Sequence, residues 1–208
     1  MNDLHFVSPR FDEDLDVEAY LERVPDDACC KGMFFGDLVN AAKSVSAQAT
    51  AEVTRELGQR RYIPFKDYPL REHMTLSSRL VPRLFPQYPT REGMRRLGWL
   101  VYPLFKQSLI GRVVFGVLGH DLDQVMRVGP RSFELSLTRG RAVGEKIGER
   151  HYRYSFREIY GYLDSYYVGV MEGVFRDHGV RAEVKIALSS LSDGVMDIRW
   201  EEPRGIDR

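Results

Sequence analysis

The chain has 208 residues, 43% of them hydrophobic and 29% charged, and a formal net charge of zero. This length suffices for one domain with a sizeable core, or for two small domains. The neutral total argues against a protein-wide basic field of the kind that attracts nucleic acid, although it does not exclude a local basic patch.

The sequence predicts neither a secretory signal nor a membrane span. Residues 1–5 lack the basic stretch and the following apolar stretch that mark a signal peptide. The most apolar window, residues 97–118, contains Pro103, Lys106 and Arg112, and charges near the centre of a span are costly in lipid. We therefore expect buried helix in this window and a cytoplasmic protein.

The N-terminal part is predicted to be mainly helical. Residues 1–27 are rich in acidic side chains and are expected to form an acidic arm, and residues 28–129 form the helical part of a single domain. Thr90 and Asp121 are expected to cap helices, the second of which ends at Val128. Apolar residues at steps of three and four predict helices over residues 29–47, 47–57, 70–80, from 90 onward, and 110–119.

The C-terminal part, residues 130–200, is predicted to be an antiparallel sheet with one helix, followed by a frayed tail at 201–208. Apolar residues alternate over 133–137, 152–156, 182–188 and 196–200, which predicts four strands. Residues 140–148 are expected to form a hairpin connection, and Ser192-Asp193-Gly194 a turn. The predicted fold class is α+β, with the N-terminal helical part packed on a strand-strand-helix-strand-strand layer.

The predicted helix between the two strand pairs has marked ends and two glycines on one face. Asp164 or Ser165 is expected to cap its start, and Gly179 fits a left-handed cap at its end. Gly169 and Gly173 lie four residues apart, and each costs about 1 kcal/mol of helix stability against alanine. We expect this face to pack on the sheet, with a ligand slot or a dimer contact as alternatives.

Arginines on one predicted strand suggest a second candidate site. Arg153, Ser155 and Arg157 share the outward side of that strand, and clustered arginines bind phosphate or carboxylate groups. The favoured interpretation is a solvated face whose arginines pair with nearby acids (Glu134, Glu145 and Glu158).

The sequence carries no pattern typical of a catalytic or metal site. None of its five histidines (His5, His73, His120, His151 and His178) lies three or four residues from another. Nucleophile and phosphate-loop motifs are absent as well. We therefore expect a non-enzymatic protein.

Two further features leave alternatives open. Cys29 and Cys30 are adjacent, which disfavours a disulfide between them; they are expected to be small packed residues, with redox sensing as the alternative. The connector over residues 60–68 interleaves basic and aromatic side chains, a combination that can stack bases. Nucleic-acid binding through it is the less favoured interpretation.

Several segments resemble a myxobacterial paralogous family of unknown function. They are residues 31–35 (Lys-Gly-Met-Phe-Phe), 62–69 (Tyr-Ile-Pro-Phe-Lys-Asp-Tyr-Pro), 96–98 (Arg-Leu-Gly), 161–173 and 198–200 (Ile-Arg-Trp). The resemblance covers residues 32–200 and implies no particular activity.

A more distant resemblance concerns the order of elements around the Val-Gly-Val-Met-Glu-Gly helix. It is similar to haem–nitric-oxide-binding domains, to ligand-binding domains of the 4-vinyl-reductase type and to TRAPP subunits. The haem family ligates iron through a helix histidine and holds the propionates with Tyr-x-Ser-x-Arg. The resemblance implies His120 as iron ligand and Ser155 and Arg157 at the propionates, although Arg153 stands where the motif has tyrosine.

The sequence thus predicts a sensory or protein-interaction module that forms a homodimer or binds another signalling protein. A small apolar ligand is expected between the helical part and the sheet, with no cofactor. The candidate ligand-binding or packing residues are Gly169, Gly173, Tyr154, Ser155 and Arg157. The first alternative is a haem-based gas sensor using His120, and the second is a nucleic-acid-associated regulator.

Overall fold

The computed structural model describes residues 9–108, 111–112 and 121–201. His120, residues 113–119 of the predicted helix and the tail from residue 202 onward lie outside the described residues. The helices are α1 Val17–Glu22, α2 Gly32–Val45, α3 Ala47–Glu56, α4 Leu70–Leu84, α5 Thr90–Gln107, α6 Leu122–Ser136 and α7 Tyr166–Asp177. The strands are β1 Cys29–Lys31, β2 Asp67–Pro69, β3 Arg141–Gly148, β4 His151–Arg157, β5 Ala182–Leu188 and β6 Gly194–Trp200.

The main sheet has the order β3-β4-β6-β5, and each neighbouring pair is antiparallel. Tyr154 of β4 lies opposite Met196 of β6, and Val184 of β5 lies opposite Ile198. Alternate residues of β4 to β6 are therefore buried under the helices, as the period of two predicts. The α+β fold class is confirmed.

The first predicted strand is wrong. Residues 133–136 continue α6, which starts after Asp121, whose side chain accepts hydrogen bonds from the N–H groups of Asp123 and Gln124 at 3.0 and 3.3 Å. Asp121 is therefore the cap that was predicted, but the helix runs past Val128. A short alternating run fits either period; the buried residues of the whole helix, Leu122, Val125, Met126 and Pro130, follow helical spacing.

The strand that replaces it is β3, within the segment expected to be a hairpin connection. It lies at the edge of the sheet and is exposed at most positions, with Ala142 as its one buried residue. An edge strand of this kind has no apolar alternation for the sequence to reveal. The actual turn follows Gly148, and Arg150 adopts a positive φ of 54° there.

The helices predicted over residues 29–47, 47–57, 70–80 and from 90 onward are present with shifted ends. Residues 29–31 pair with β2 as a strand before α2 begins. Helix α4 continues through Pro82, in its last turn, to Leu84. The Thr90 side chain does not cap α5; instead Asp14 Oδ1 accepts a hydrogen bond from the Thr90 N–H at 3.0 Å.

The segment predicted as an acidic arm is packed onto the helical part. Leu15, Tyr20 and Val24 are buried in the same core as α2 and α4. Their neighbouring acids serve as caps, since Asp16 accepts from the Ala19 N–H at 3.0 Å at the start of α1. The arm therefore contributes both apolar side chains and a cap to the domain.

Helix α7 confirms one predicted cap and not the other. Gly179 has a φ of 67°, and the N–H of Val180 donates to the Phe175 carbonyl at 2.9 Å, as in a left-handed C-terminal cap. At the start, Asp164 pairs instead with Arg91, and the Ser165 hydroxyl is buried with no hydrogen-bond partner among the described residues. The prediction of a side-chain cap there is wrong.

The glycine face of α7 packs on helix α5, not on the sheet. A β-carbon on Gly169 would overlap the backbone carbonyl of Arg95, and one on Gly173 would lie 3.1 Å from that of Trp99. Gly98 of α5 is in turn pressed against the carbonyl of Tyr166. Glycines on both helices let the two backbones touch.

Two apolar clusters make up the core. The first cluster lies among helices α1 through α5, and the second lies between helices α5, α6 and α7 and the main sheet. Within the described ranges, no helix combines the length and the apolar character that crossing a membrane requires.

Candidate functional site

A cavity of about 130 Å³ lies where the two core clusters meet. Helices α4, α5, α6 and α7 and strands β4 and β6 all contribute to its wall. The sequence places an apolar pocket between the helical part and the sheet, and the structure has a cavity at this boundary.

Most of the wall is apolar. Val101 and Phe105 come from α5, Met126 from α6, Met171 from α7 and Met196 from β6. Each belongs to the buried face of its element, so the helical and strand periodicities that build the core also build the cavity. No charged side chain is found among the described residues of the wall, which suits a neutral ligand.

Three hydroxyl groups in the wall donate hydrogen bonds to backbone carbonyls. Tyr154 donates to the Met126 carbonyl, Ser132 to the Gly129 carbonyl at 2.6 Å, and Ser136 to the Ser132 carbonyl. Burial raises the pKa of Tyr154 far above its usual value, so its hydroxyl stays protonated. These groups stabilise α6 and its contact with β4, and their remaining lone pairs are acceptors.

His73 is the most polar ring in the wall. It lies on α4 with 9% of its surface exposed, and its ring packs edge-on against Phe35 and Tyr166 at centroid distances of 5.1 and 6.3 Å. Burial lowers its pKa to about 4, although a hydrogen bond with the Phe34 backbone acts in the opposite direction. The imidazole is therefore neutral at pH 7.

The predicted site residues are not brought together. Tyr154 lines the cavity, whereas Ser155 and Arg157 are exposed on the opposite face of the sheet. Gly169 and Gly173 are covered by α5. The site therefore retains one of the five predicted residues.

The arginine face is an ion-paired surface, though with a different acid from those expected. The carboxylate of Asp197 is 2.9 Å from His151 Nε2 and 3.3 Å from an Arg153 nitrogen. Its side chain is only 8% exposed. Arg153 is thus held by a cross-strand partner on β6.

His73 has no histidine neighbour at ligand spacing, so the sequence carries no motif that marks it as a site residue. A weaker signal was present: it falls between Leu70 and Met74 on the apolar side of α4, whose buried residues also include Ser77 and Leu80. A polar ring on an apolar helical face is either satisfied inside the core or directed to a ligand.

The two cysteines face opposite sides of β1. Cys30 is buried in the cavity wall, and Cys29 is half-buried. Burial raises the pKa of both thiols, which keeps them protonated and weakly nucleophilic. These environments do not support redox sensing.

The two tyrosine rings of the basic connector pack within the protein. Tyr62 stacks on Phe35 at 4.0 Å between centroids, and the Arg60 guanidinium lies 4.8 Å from the Tyr68 centroid. Arg60 also pairs with Glu72 at 2.9 Å. Tyr62 and Tyr68 are therefore not free to stack on bases, whereas Phe65 of the same connector is 55% exposed.

Comparison with known proteins identifies a family and a fold. A family model described as "Protein of unknown function (DUF2378)" matches residues 23–201. No curated protein matches the chain.

The fold is that of H-NOX domains. A variant of the Tt H-NOX domain superimposes with a TM-score of 0.68 at 14% identity, covering 86% of this chain and 98% of that one. An oxygen-binding H-NOX domain related to soluble guanylate cyclases gives 0.66 at 13% identity, covering 86% and 98%. A mutant of T. tengcongensis H-NOX gives 0.64 at 15% identity, covering 84% and 100%.

The described residues do not fit a haem. Ser155 and Arg157, the expected propionate partners, lie on the far side of the sheet from the cavity. The cavity of about 130 Å³ is well below the roughly 300–1,000 Å³ of sites that hold drug-sized ligands, and a haem is not smaller than these. His120 lies outside the described residues. Among those described, no group of three or more histidine, cysteine or acidic side chains is arranged to hold a metal ion.

Proposed function

This chain belongs to that family of proteins of unknown function, and we propose that it is a non-enzymatic sensory module that binds a small apolar molecule in its internal cavity. The observation that supports this proposal is the cavity itself, whose apolar wall contains residues from both core clusters. An engineered cavity of roughly 150 Å³ in another protein takes up benzene or xenon. The cavity here is close to that size.

The position of the cavity suits a sensor. It lies between the helical part and the sheet, so a bound molecule contacts α4, α5, α6 and α7 at once. A ligand that binds one arrangement of these elements better than another shifts their equilibrium. One of the solved structures of the same fold is an oxygen-binding domain, which supports small-molecule sensing by this fold without assigning the ligand here.

A sensor needs a recipient of the signal. We propose a second copy of the chain or another signalling protein in this role. Light scattering on the purified protein, with and without ligand, measures whether it forms a dimer.

The test of the proposed function is binding of toluene and xenon to the full-length protein. Toluene at a concentration well above its dissociation constant should raise the melting temperature, because a ligand that binds only the folded state stabilises it. Crystals under xenon pressure should show xenon between Val101 and Met171. Failure of both probes to bind would overturn the proposal.

A pair of matched variants tests the location. Val170 lines the cavity, whereas Val45 is 40% exposed at the end of α2. Val170→Phe should fill the cavity and abolish the toluene effect, while Val45→Phe should leave it unchanged. The xenon experiment on the unmodified chain remains decisive if Val170→Phe does not fold.

The fold favours one competing function, haem-based gas sensing, and the same preparation tests it. We expect no Soret band after purification or after addition of haem. A Soret band that is lost in His120→Ala would overturn the apolar-ligand proposal in favour of a haem sensor.

A further inference from the structure

The polar end of the cavity is formed by His73. Its side chain lines the cavity, and its Nε2 atom is shielded from water without a hydrogen-bond partner among the described residues. A buried polar atom left unpaired costs stability, so native proteins rarely keep one without a use.

The tautomer of this ring is determined by its backbone contact. A hydrogen bond with the backbone of Phe34 favours the protonated ring, as expected when an imidazole N–H donates to a carbonyl. Because Nε2 has no partner, Nδ1 makes this bond and carries the hydrogen. In the neutral ring Nε2 is then a hydrogen-bond acceptor.

Other polar groups in the wall have the same character. Ser132, Ser136 and Tyr154 donate their hydrogens to backbone carbonyls of α6. Their oxygens, like Nε2 of His73, can only accept a further hydrogen bond without breaking an existing one. These three oxygens and Nε2 of His73 are therefore acceptors in the wall, whose described residues include no charged side chain.

We infer that the cavity selects a small, neutral, mainly apolar molecule with one hydrogen-bond donor, such as a phenol or a short alcohol, and that this donor binds Nε2 of His73. The inference rests on the proposed function and names the ligand class of the same site. The apolar body of the molecule contacts the valine, methionine and phenylalanine side chains. The donor satisfies the one imidazole nitrogen that the fold leaves free.

The experiment compares phenol with toluene, which have nearly the same size and differ in the donor. Dissociation constants for both are measured by calorimetry on the full-length protein and on His73→Leu. The ratio of phenol affinity to toluene affinity should fall roughly five- to tenfold in His73→Leu, the typical effect of losing one hydrogen bond. His73→Gln, whose side-chain carbonyl can take the place of Nε2, should retain most of the ratio.

His178→Leu is the matched control. His178 lies at the C-terminal end of α7 and is not part of the cavity wall, so its substitution removes an imidazole outside the site. The phenol-to-toluene ratio should not change. A ratio that falls equally in His178→Leu and in His73→Leu would overturn the assignment to His73.

The outcomes separate the inference from the proposed function. If toluene and phenol both bind but His73→Leu leaves their ratio unchanged, the donor inference is wrong and the apolar-ligand function stands. If neither binds, the proposed function fails. Nitrogen-15 NMR of the unmodified protein gives an independent readout: the Nε2 resonance should move upfield with phenol and stay in place with toluene.

Discussion

The backbone carbonyl of Arg95 occupies the position where a side chain on Gly169 would begin. This contact joins α5 to α7, the two helices that also share the wall of the cavity. Their approach is therefore set by backbone atoms, and the space left beside it is the candidate site.

Gly169→Ala should destabilise the protein by about 2–3 kcal/mol, because the new methyl group forces the helices apart. The gain in helix propensity, about 1 kcal/mol, offsets only part of this. Urea unfolding measures the change. The matched control is Gly36→Ala on α2, where nothing lies within 4 Å of the new β-carbon; it should stabilise the protein by about 0.5–1 kcal/mol. Equal effects at the two positions would contradict the close contact.

Glu172 holds the outer edge of the same helix pair. Its carboxylate accepts two hydrogen bonds from Arg95 and one from the Trp99 indole, each at 2.7 Å, and it is 15% exposed. Glu172→Ala should lower the free energy of unfolding by roughly 2–4 kcal/mol, because a half-buried guanidinium loses its main partner.

The control for Glu172 is Glu183→Ala. Glu183 pairs with Lys185 at 2.8 Å on the surface and is 57% exposed, so its loss should cost no more than about 0.5 kcal/mol. Thermal unfolding of both variants makes the comparison, and a similar cost at both sites would refute the role given to Glu172.

Asp37 is expected to weaken the fold at neutral pH. Burial raises its pKa to about 6, and its Oδ2 atom has no hydrogen-bond partner among the described residues. In the unfolded chain the carboxyl of an aspartate has a pKa of about 3.9. Because the folded-state pKa is higher, ionisation favours the unfolded state, and the free energy of unfolding falls as the pH rises from about 4 to above 6. Asp37→Asn should stabilise the protein at pH 8 by roughly 1–2 kcal/mol, allowing for partial exposure.

Below about pH 4 the Asp37→Asn variant should match the unmodified protein in stability, because the Asp37 carboxyl is then mainly protonated and, like the asparagine amide, uncharged. Denaturant titrations at pH 3.5 and pH 8 measure the difference. Asp12→Asn, at an exposed acid, serves as control and should show no such pH dependence. A stabilisation that is the same at both pH values would count against the buried carboxylate.

Asp197 should show the opposite sign. Burial raises its pKa, but hydrogen bonds from His151 and Arg153 and the charges of His151 and Arg199 outweigh this effect, and the net pKa is lowered. The carboxylate therefore stabilises the fold above the unfolded pKa of about 3.9, and this contribution is lost as the pH falls through the folded value.

Asp197→Asn should therefore cost roughly 1–2 kcal/mol at pH 7 and progressively less toward pH 3. Asp26→Asn is the control, since Asp26 pairs with Arg71 but is 93% exposed; its effect should be close to zero throughout. A cost for Asp197→Asn that grows on acidification would reverse the assigned sign.

Much of the secondary structure follows from local pattern. The alternation in β4 to β6 and the end of α7 at Gly179 are read directly from residue spacing. Residues 133–136 and β3 differ from the prediction for local reasons as well. The first is a short apolar run compatible with two periods, and the second is an edge strand with almost no buried face.

The candidate site was less accessible from the sequence. Tyr154 was predicted for the right surface, but Ser155 and Arg157 point away from the cavity. His73, the central polar group, belongs to no spacing motif. The role of a single imidazole depends on the groups that other elements place around it. Those groups are the Phe34 backbone, the Phe35 ring and the Tyr166 ring.

The sequence by itself determined the α+β class, the helix with two glycines on one face, and an apolar interior of mixed helical and strand origin. Only the tertiary structure decided that α5 covers those glycines, that a cavity remains beside the contact, and that His73 Nε2 is left without a partner. The physical reason is that periodicity encodes which face of an element is buried. What that face meets depends on packing between elements distant in the chain.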